Sequence, residues 1–395
     1  MGKKISDKVT WVGKIDWELK KFHGDEYSIR KGSSYNSFLI RDEKTVLVDT
    51  VWLPFGKEFV SKLKEEVDLK TIDYIVMDHG EVDHSGALLE LMREIPDTPI
   101  YCTKNAVISL KGQYHQDWNF VPVKTGDTLE IGENTLTFIE APMLHWPDTM
   151  FTYVSGEQML ISMDAFGQHL ASETLYNDSV DKAEMYAEAL KYYANIIAPF
   201  GMMVTSKIKE ILGMNLPIKM ICPSHGVMWR EDPMQIVNQY LLWADAYKEN
   251  QITIVYDTMW NATRKMAEWI AEGIHQFDPQ VTIKLMNASK YDKNDIATAV
   301  FCSKAVLFGS STINNGFLYS IGGILEMIKG LKMKGKKAAA FGSYGWSGEA
   351  AKEITKMLAP CGFEVINEGL RIQWVPDEAG IAQCMEFGKE FAKSL

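Results

Sequence analysis

Apolar positions along the chain follow two rhythms that meet near residue 250. From Val9 to about Ile139 they come in short alternating or continuous runs, TWVGKI, NSFLI, TVLVDT, YIVMDH, PIYC, FVPV and LTFIE, punctuated by Gly, Asp, Asn and Pro. Runs of this length predict strands, and the wider spacing at 56–68 and 84–94 predicts helices. FTYVS and QMLISMD add strands, 182–213 and 232–248 fit helices, and IKMICPSHG reads as a strand entering a loop. The pattern predicts a sheet-on-sheet core with outer helices.

After Glu249-Asn250 the rhythm becomes strict strand–helix alternation. The strands are ITIVYD, VTIKLM, AVLFGS, KAAAFGS and FEVI; the helices cover 261–275, the region of 293–300, 318–329, 347–359 and 377–393. Crossover helices require parallel strands. The second half therefore predicts a complete doubly wound domain with a five-stranded parallel sheet, whose ligands belong at the carboxyl ends of the strands. The expected division is residues 1–249 and 250–395.

Composition narrows the classes. With 46% hydrophobic and 24% charged residues, the chain is neither disordered nor fibrous. A net charge of -11 argues against wrapping nucleic acid or adhering to anionic lipid. No apolar run approaches about 18 residues, and the lysines of the N-terminus are not followed by an apolar stretch, so the expectation is a cytoplasmic protein with no membrane contact. Five scattered cysteines, never spaced C-x-x-C, form no disulfide framework and no thiolate cage.

Chemistry concentrates after the strand YIVMD, where His79, Glu81, Asp83 and His84 emerge within six residues. His145, Asp164 and His225 stand where other apolar strands give way to turns, 61, 19 and 61 positions further on in succession. Separately each histidine reads as a core or surface residue; together the seven make a metal constellation. The spacing resembles the metallo-β-lactamase superfamily, with H-x-H-x-D-H and a distant His, Asp and His around two metals in an αββα sandwich. Glu81 stands where the zinc hydrolases have histidine, and a hard anionic oxygen moves preference from zinc towards iron or manganese. His169 is expected to pack or hydrogen-bond rather than to ligate. His23 and Tyr193 are candidates for the groups behind the ligands or for the pocket wall, and His115 and His275 for the surface.

Three loops of the second half share one sheet edge. Asp257 and the run Thr258, Met259, Trp260, Asn261, Ala262, Thr263 place hydroxyls and backbone N–H groups at a helix N-terminus, where a phosphate is stabilised; a plain N-cap also explains such a loop. The second loop contributes Ser311, Thr312, Ile313, Asn314 and Asn315, and the third Ser343, Tyr344, Gly345, Trp346 and Ser347. Together they can enclose a planar ring, with Trp346 stacking and the asparagines bonding its polar edge. No G-x-G-x-x-G follows a strand, which disfavours a nicotinamide dinucleotide site.

The Glu81 variant of the metal pattern joined to a flavodoxin-like half resembles the flavodiiron proteins over essentially the whole chain. The resemblance implies FMN and two non-haem irons, with His79, Glu81 and His145 on one iron, Asp83, His84 and His225 on the other, and Asp164 bridging. It implies reduction of dioxygen to water, of nitric oxide to nitrous oxide, or both, and a head-to-tail homodimer, or dimer of dimers, that sets each FMN beside the partner's metals. The family loop carries a hydroxyl where this chain has Trp260, so hydroxyl contacts to phosphate rest on Thr258 and Thr263. No pair of C-x-x-C motifs is present, so a separate rubredoxin or another reductase is the expected electron donor. The alternatives are a zinc-dependent hydrolase with an appended flavodoxin domain, which Glu81 opposes, and a non-catalytic electron-transfer module, which the seven filled positions oppose.

Overall fold

In the computed structural model, which describes residues 2–395, the short apolar runs of the first half pair into two sheets. One has seven strands in the order Lys3–Lys4, Val9–Trp11, Phe38–Arg41, Thr45–Val48, Ile72–Met77, Ile100–Thr103, Phe120–Val123, parallel from Thr45–Val48 onward. The other has five, Thr128–Glu130, Thr135–Glu140, Met150–Val154, Met159–Met163 and Met220–Pro223, antiparallel except for the last pair. Their inner faces share one apolar core, Phe38, Ile40, Val46, Val48 and Val76 meeting Leu136, Phe138, Met150, Val154 and Ile161. On the other face of the second sheet, Leu160 and Ile221 meet Ile208, Ile211 and Val237 of two flanking helices, Gly201–Gly213 and Met234–Ala244. This is the expected αββα sandwich.

Two helical expectations change. The stretch 182–213 is not one helix: Lys182–Tyr192 passes into a wide turn at Tyr193–Ile197 and a tight one at Ala198–Phe200 before Gly201–Gly213 begins. Pro199 explains the break, since it has no N–H to give and its ring collides with the preceding turn. A further helix, Lys104–Tyr114, was not expected; its buried positions, Ala106, Leu110 and Tyr114, recur every fourth residue. Thr103 starts it by accepting from the Ala106 N–H at 3.0 Å.

The second half forms a parallel sheet in the order Thr282–Asn287, Glu249–Tyr256, Ser303–Ile313, Lys337–Tyr344, Glu364–Val365. The fifth position is interrupted. Glu364–Val365 pairs with the start of Lys337–Tyr344, and Leu370–Gln373 pairs with its end. Between them Gly369 takes φ 90°, where a Cβ would lie 2.8 Å from the Ala340 carbonyl oxygen, so only glycine makes the jog. Contacts divide the chain into two compact units, residues up to Tyr193 with Phe200–Ala244, and Ala194–Pro199 with Asp245–Leu395. Among the described residues no helix is long and apolar enough to cross a membrane, and all five cysteines are buried and free.

Candidate metal centre and flavin pocket

Each of the seven candidate ligands leaves the end of a strand or the loop that follows it. Strand Ile72–Met77 runs into Asp78, which ties the sheets together: its carbonyl accepts from the Met150 N–H at 2.9 Å and its carboxylate from the Thr152 hydroxyl at 2.6 Å. His79 and Glu81 follow, and the single turn Val82–Ser85 carries Asp83 and His84. Asp164 comes directly after Met159–Met163 and His225 two residues after Met220–Pro223; these strands are parallel neighbours, so the two loops leave side by side. His145 lies between Thr135–Glu140 and Met150–Val154.

The side chains converge as two groups, His79, Glu81, His145 and Asp164 in one and Asp83, His84 and His225 in the other, with ligand atoms within 4.8 Å of one another in each. Asp164 joins them. Its Oδ2 lies 3.5 Å from His79 Nε2 and 3.2 Å from His145 Nε2, and its Oδ1 lies 3.1 Å from His84 Nε2 and 3.3 Å from His225 Nε2. Glu81 Oε2 is 3.3 Å from both His79 and His145, and Asp83 Oδ2 is 3.0 Å from His225 and 3.4 Å from His84. One oxygen of a single carboxylate thus faces each group.

Orientation comes from the opposite ring nitrogens. His79 Nδ1 pairs with Asp148 Oδ1 at 2.9 Å, and His225 Nδ1 with the Ser34 carbonyl at 2.8 Å. With Nδ1 engaged there, it is Nε2 that each ring turns inward. Among the described residues, both oxygens of Asp83 and Asp164 and the Nε2 atoms of His84 and His225 are buried without a hydrogen-bond partner. Converging acceptors of this kind in a buried site call for cations. The protonation balance agrees. Burial alone would lower His145 and His225, but the Asp164 carboxylate beside both, helped by Glu81 and Asp83 respectively, raises them to about 9 and about 10. Burial would raise the Asp164 and Glu81 carboxyls, and the surrounding histidines instead hold both well below the usual range. The donor set, four imidazoles and three carboxylates, fits two hard-to-borderline divalent ions and resembles no thiolate zinc site.

Glu81 and His145 are the exposed members, at 14% and 12%, so the centre opens on their side. His23 stands there, Nε2 3.2 Å from Glu81 Oε1. Tyr193 is buried against Tyr240 and Trp243, whereas its neighbour Tyr192 packs beside His169 and His225. Tyr192 continues the buried face of its helix, after Met185 and Ala189, and it is this ring rather than that of Tyr193 that faces the ligands. His169 is buried, pairs with the Ser33 hydroxyl at 2.8 Å and belongs to neither ligand group, while His115 and His275 are exposed. Sequence reasoning missed Asp148 and Ser34. An acid three residues past His145, in HWPD, was a signal for the first; a backbone carbonyl gives none for the second.

In the other unit the three strand-end loops line a cavity of about 440 Å³, within the range of cofactor sites. From the first loop come Met259, Trp260 and Ala262; from the second Ser311, Thr312, Ile313, Asn314 and Asn315; from the third Ser343, Tyr344, Gly345, Trp346 and Ser347. Thr258, Asn261 and Thr263 do not line it. Thr263 is buried beneath, its hydroxyl 2.9 Å from that of Ser311 and 2.8 Å from that of Ser343. Asn261 takes φ 64° and leaves helix Ala262–Phe277 without a side-chain cap, and the buried Thr258 hydroxyl has no partner among the described residues. An uncapped helix start beside an orphaned hydroxyl fits a phosphate. Asn314 and Asn315, at φ 47° and 56°, make the two-residue turn pairing Ile313 with Gly316, so turn chemistry accounts for their backbone while both line the cavity. Trp374 and Val375, beyond the interrupted fifth strand, add a wall that the sequence did not disclose. Trp346 and Trp374 are 87% and 62% exposed, broad apolar faces left open at the cavity's edge.

A metallo-β-lactamase-like sandwich with two groups of candidate metal ligands, carried with a flavodoxin-like domain, defines a class of oxidoreductases. Residues 34–226 match the family described as ODP family beta lactamase, and residues 254–388 match flavodoxin. The chain is 54% identical over 391 residues to the anaerobic nitric oxide reductase flavorubredoxin of Aliivibrio fischeri, covering 98% of this chain and 79% of that one. The protein of the same name from Aeromonas hydrophila is 53% identical with the same coverage. Among solved structures, rubredoxin oxygen:oxidoreductase from Desulfovibrio gigas matches with a TM-score of 0.96 and 35% identity, over 100% of this chain and 98% of that one. The flavodiiron protein from Giardia intestinalis matches with a TM-score of 0.94 and 32% identity, over 100% and 96%. The chain belongs to the flavodiiron protein family.

Proposed function

We propose that this chain is a nitric oxide reductase, converting two nitric oxide molecules, two electrons and two protons to nitrous oxide and water. The observation that carries the reading is Asp164, which offers one oxygen to each of two ligand groups, together with a relative at 54% identity that is named a nitric oxide reductase. In this reading His79, Glu81, His145, Asp83, His84, His225 and the bridging Asp164 hold two irons. The three pocket loops, with the uncapped helix start and Thr258 at the phosphate, hold FMN. The iron pair supplies gas binding and reduction, and the flavin supplies single electrons.

The chain's own residues set the conditions. Asp148 and Ser34 fix the His79 and His225 rings so that lone pairs point inward. Burial of Asp83, His84, Asp164 and His225 keeps bulk water away from one side of the centre, while the exposed edge of Glu81 and His145 gives a small uncharged gas its way in. His23 stands on that edge with Nε2 3.2 Å from Glu81 Oε1, a polar side chain placed to guide protons inward. Dioxygen reduction to water is the second reading, favoured by the name of the D. gigas relative. That name and those of the flavorubredoxins also favour a rubredoxin as electron donor. We place the working unit in a head-to-tail homodimer in which each FMN serves the partner's irons, in the cytoplasm.

The test is turnover of nitric oxide and of dioxygen, side by side, under one reduced rubredoxin. Nitrous oxide formed at the faster rate supports the proposal. Faster dioxygen consumption replaces it with the second reading, and hydrolysis of an ester or amide without either gas reaction would return the chain to the zinc hydrolases.

A further inference from the structure

The turn that carries Asp164 holds two non-glycine residues in the left-handed region, Met163 at φ 42° and Phe166 at φ 70°. For a ring as large as phenylalanine this backbone is an outlier, and it persists only where the surroundings over-determine it. Here they do. The Phe166 N–H donates to the Tyr240 hydroxyl at 2.9 Å, and the Phe166 carbonyl accepts from the Trp229 indole N–H at 2.8 Å. Tyr240 and Trp229 are both fully buried, and the Phe166 ring lies against that of Tyr240 with centroids 4.7 Å apart. Both backbone polar groups of one strained residue are therefore held by side chains from outside the turn.

The remaining bonds of the turn are local or run to the His225 loop. Ala165 N–H donates to the Ser162 carbonyl at 3.1 Å, Gly167 N–H to the Asp164 carbonyl at 3.1 Å, Ser224 N–H to the Met163 carbonyl at 2.7 Å, and Gln168 N–H to the His225 carbonyl at 3.2 Å. These define a turn but leave its far side, at Phe166, to Tyr240 on helix Met234–Ala244 and to Trp229. Were Phe166 to relax to negative φ, the backbone two residues from Asp164 would rotate, and the carboxylate would no longer split its oxygens between two groups at 3.1–3.5 Å. We propose that Tyr240 and Trp229 are positioning residues that hold Phe166 in its left-handed conformation and thereby aim the Asp164 carboxylate between the two metal groups. The inference rests on the reading of Asp164 as the bridge.

Tyr240→Phe removes one hydroxyl and nothing else. Tyr153→Phe is the control: its hydroxyl donates to the Pro217 carbonyl at 2.7 Å in the same unit, away from the Asp164 turn. Each variant is purified as the full chain, reconstituted anaerobically with ferrous iron, and assayed for iron and FMN per chain, Mössbauer and magnetic signature of the iron pair, and kcat per iron pair. Tyr240→Phe should keep its FMN, lose about 10-fold in iron affinity as for other groups behind metal ligands, show an altered magnetic coupling between the irons, and lose kcat with KM for the gas unchanged. Tyr153→Phe should match the wild type in all of these. Should Tyr240→Phe not fold, Trp229→Phe removes the other bond and carries the same expectation. A wild-type spectrum and kcat per iron pair in the folded variant overturns the assignment, as does failure of both variants to fold. A wild-type chain that binds iron singly, without a coupled pair, overturns the bridging reading itself.

Discussion

Asp148 offers the sharpest test of how the ligands are held, because it touches His79 and belongs to neither metal group. Its Oδ1 accepts from His79 Nδ1–H at 2.9 Å in a fully buried setting, and burial, which would raise the carboxyl, is outweighed by His79, which keeps it low and ionised. Gly80 makes room for the other oxygen, since a Cβ there would stand 2.7 Å from Asp148 Oδ2. Asp148→Asn keeps an acceptor but discards the charge; Asp148→Leu discards both. A hydrogen bond to a charged group contributes about 1.5–3 kcal/mol, against about 0.5–1.5 for a neutral one. The asparagine should thus cost about 1–1.5 kcal/mol and the leucine about 1.5–3, which at about 1.4 kcal/mol per decade gives losses of about 5- to 10-fold and about 10- to 150-fold in iron affinity. Anaerobic competition against a coloured ferrous chelator at fixed pH reads both, with bound FMN as the internal control. Wild-type affinity in the leucine variant would refute the argument that Asp148 sets the ring.

Three further outcomes follow from the same geometry. Trp346→Ala and Trp374→Ala should each weaken FMN retention by about 1–3 kcal/mol, or about 5- to 150-fold, by analogy with aromatic–base stacking, while iron content stays at the wild-type level; equilibrium dialysis of FMN checks this, and unchanged retention in both would remove the stacking role. Because His145 and His225 keep their protons to about 9 and about 10, iron loading at neutral pH should release protons, and affinity should rise with pH up to that window. In the metal-free chain the sign reverses: stability from the raised histidines is complete below about 6.5 and lost as pH climbs through about 9 to 10, so metal-free melting points should fall there while iron-loaded ones do not. Finally, mixing a chain made unable to hold FMN (Thr258→Val, Trp346→Ala, Trp374→Ala) with one unable to bind iron (His79→Ala, Asp164→Ala) should restore turnover once subunits exchange, with about half of randomly mixed dimers carrying one working pair of sites; verified exchange with no activity would favour electron transfer within one chain.

Much of this was legible because the informative residues sit where strands end. Strand ends show in the apolar rhythm, and His79, Asp164 and His225 follow theirs within two residues. The parallel sheet of the second half was equally plain, since each strand is apolar and each crossover helix amphipathic. What escaped lay in contacts between distant segments. Asp148 matters because of His79, 69 positions earlier, and Ser34 through a carbonyl 191 positions from His225. Trp374 joins the three loops around the cavity because Gly369 lets the last strand jog and resume. Tyr192 rather than Tyr193 lies beside His225 because it continues the buried helical face of Met185 and Ala189, a spacing the sequence carries and the expectation overlooked. Strain at Phe166 is invisible in the letters, because nothing about SMDAFG asks for a phenylalanine at positive φ.

Whether these seven side chains hold a pair of irons bridged by Asp164 is decided by counting metal and flavin on one preparation. Wild-type chain and Asp164→Ala are purified without oxygen, loaded with ferrous iron, freed of excess, and analysed for iron, zinc and FMN per chain. Two irons and one FMN are expected in the wild type, and in the variant a loss of iron with FMN unchanged. Two irons retained by Asp164→Ala, or zinc in preference to iron in the wild type, would contradict the bridged iron pair.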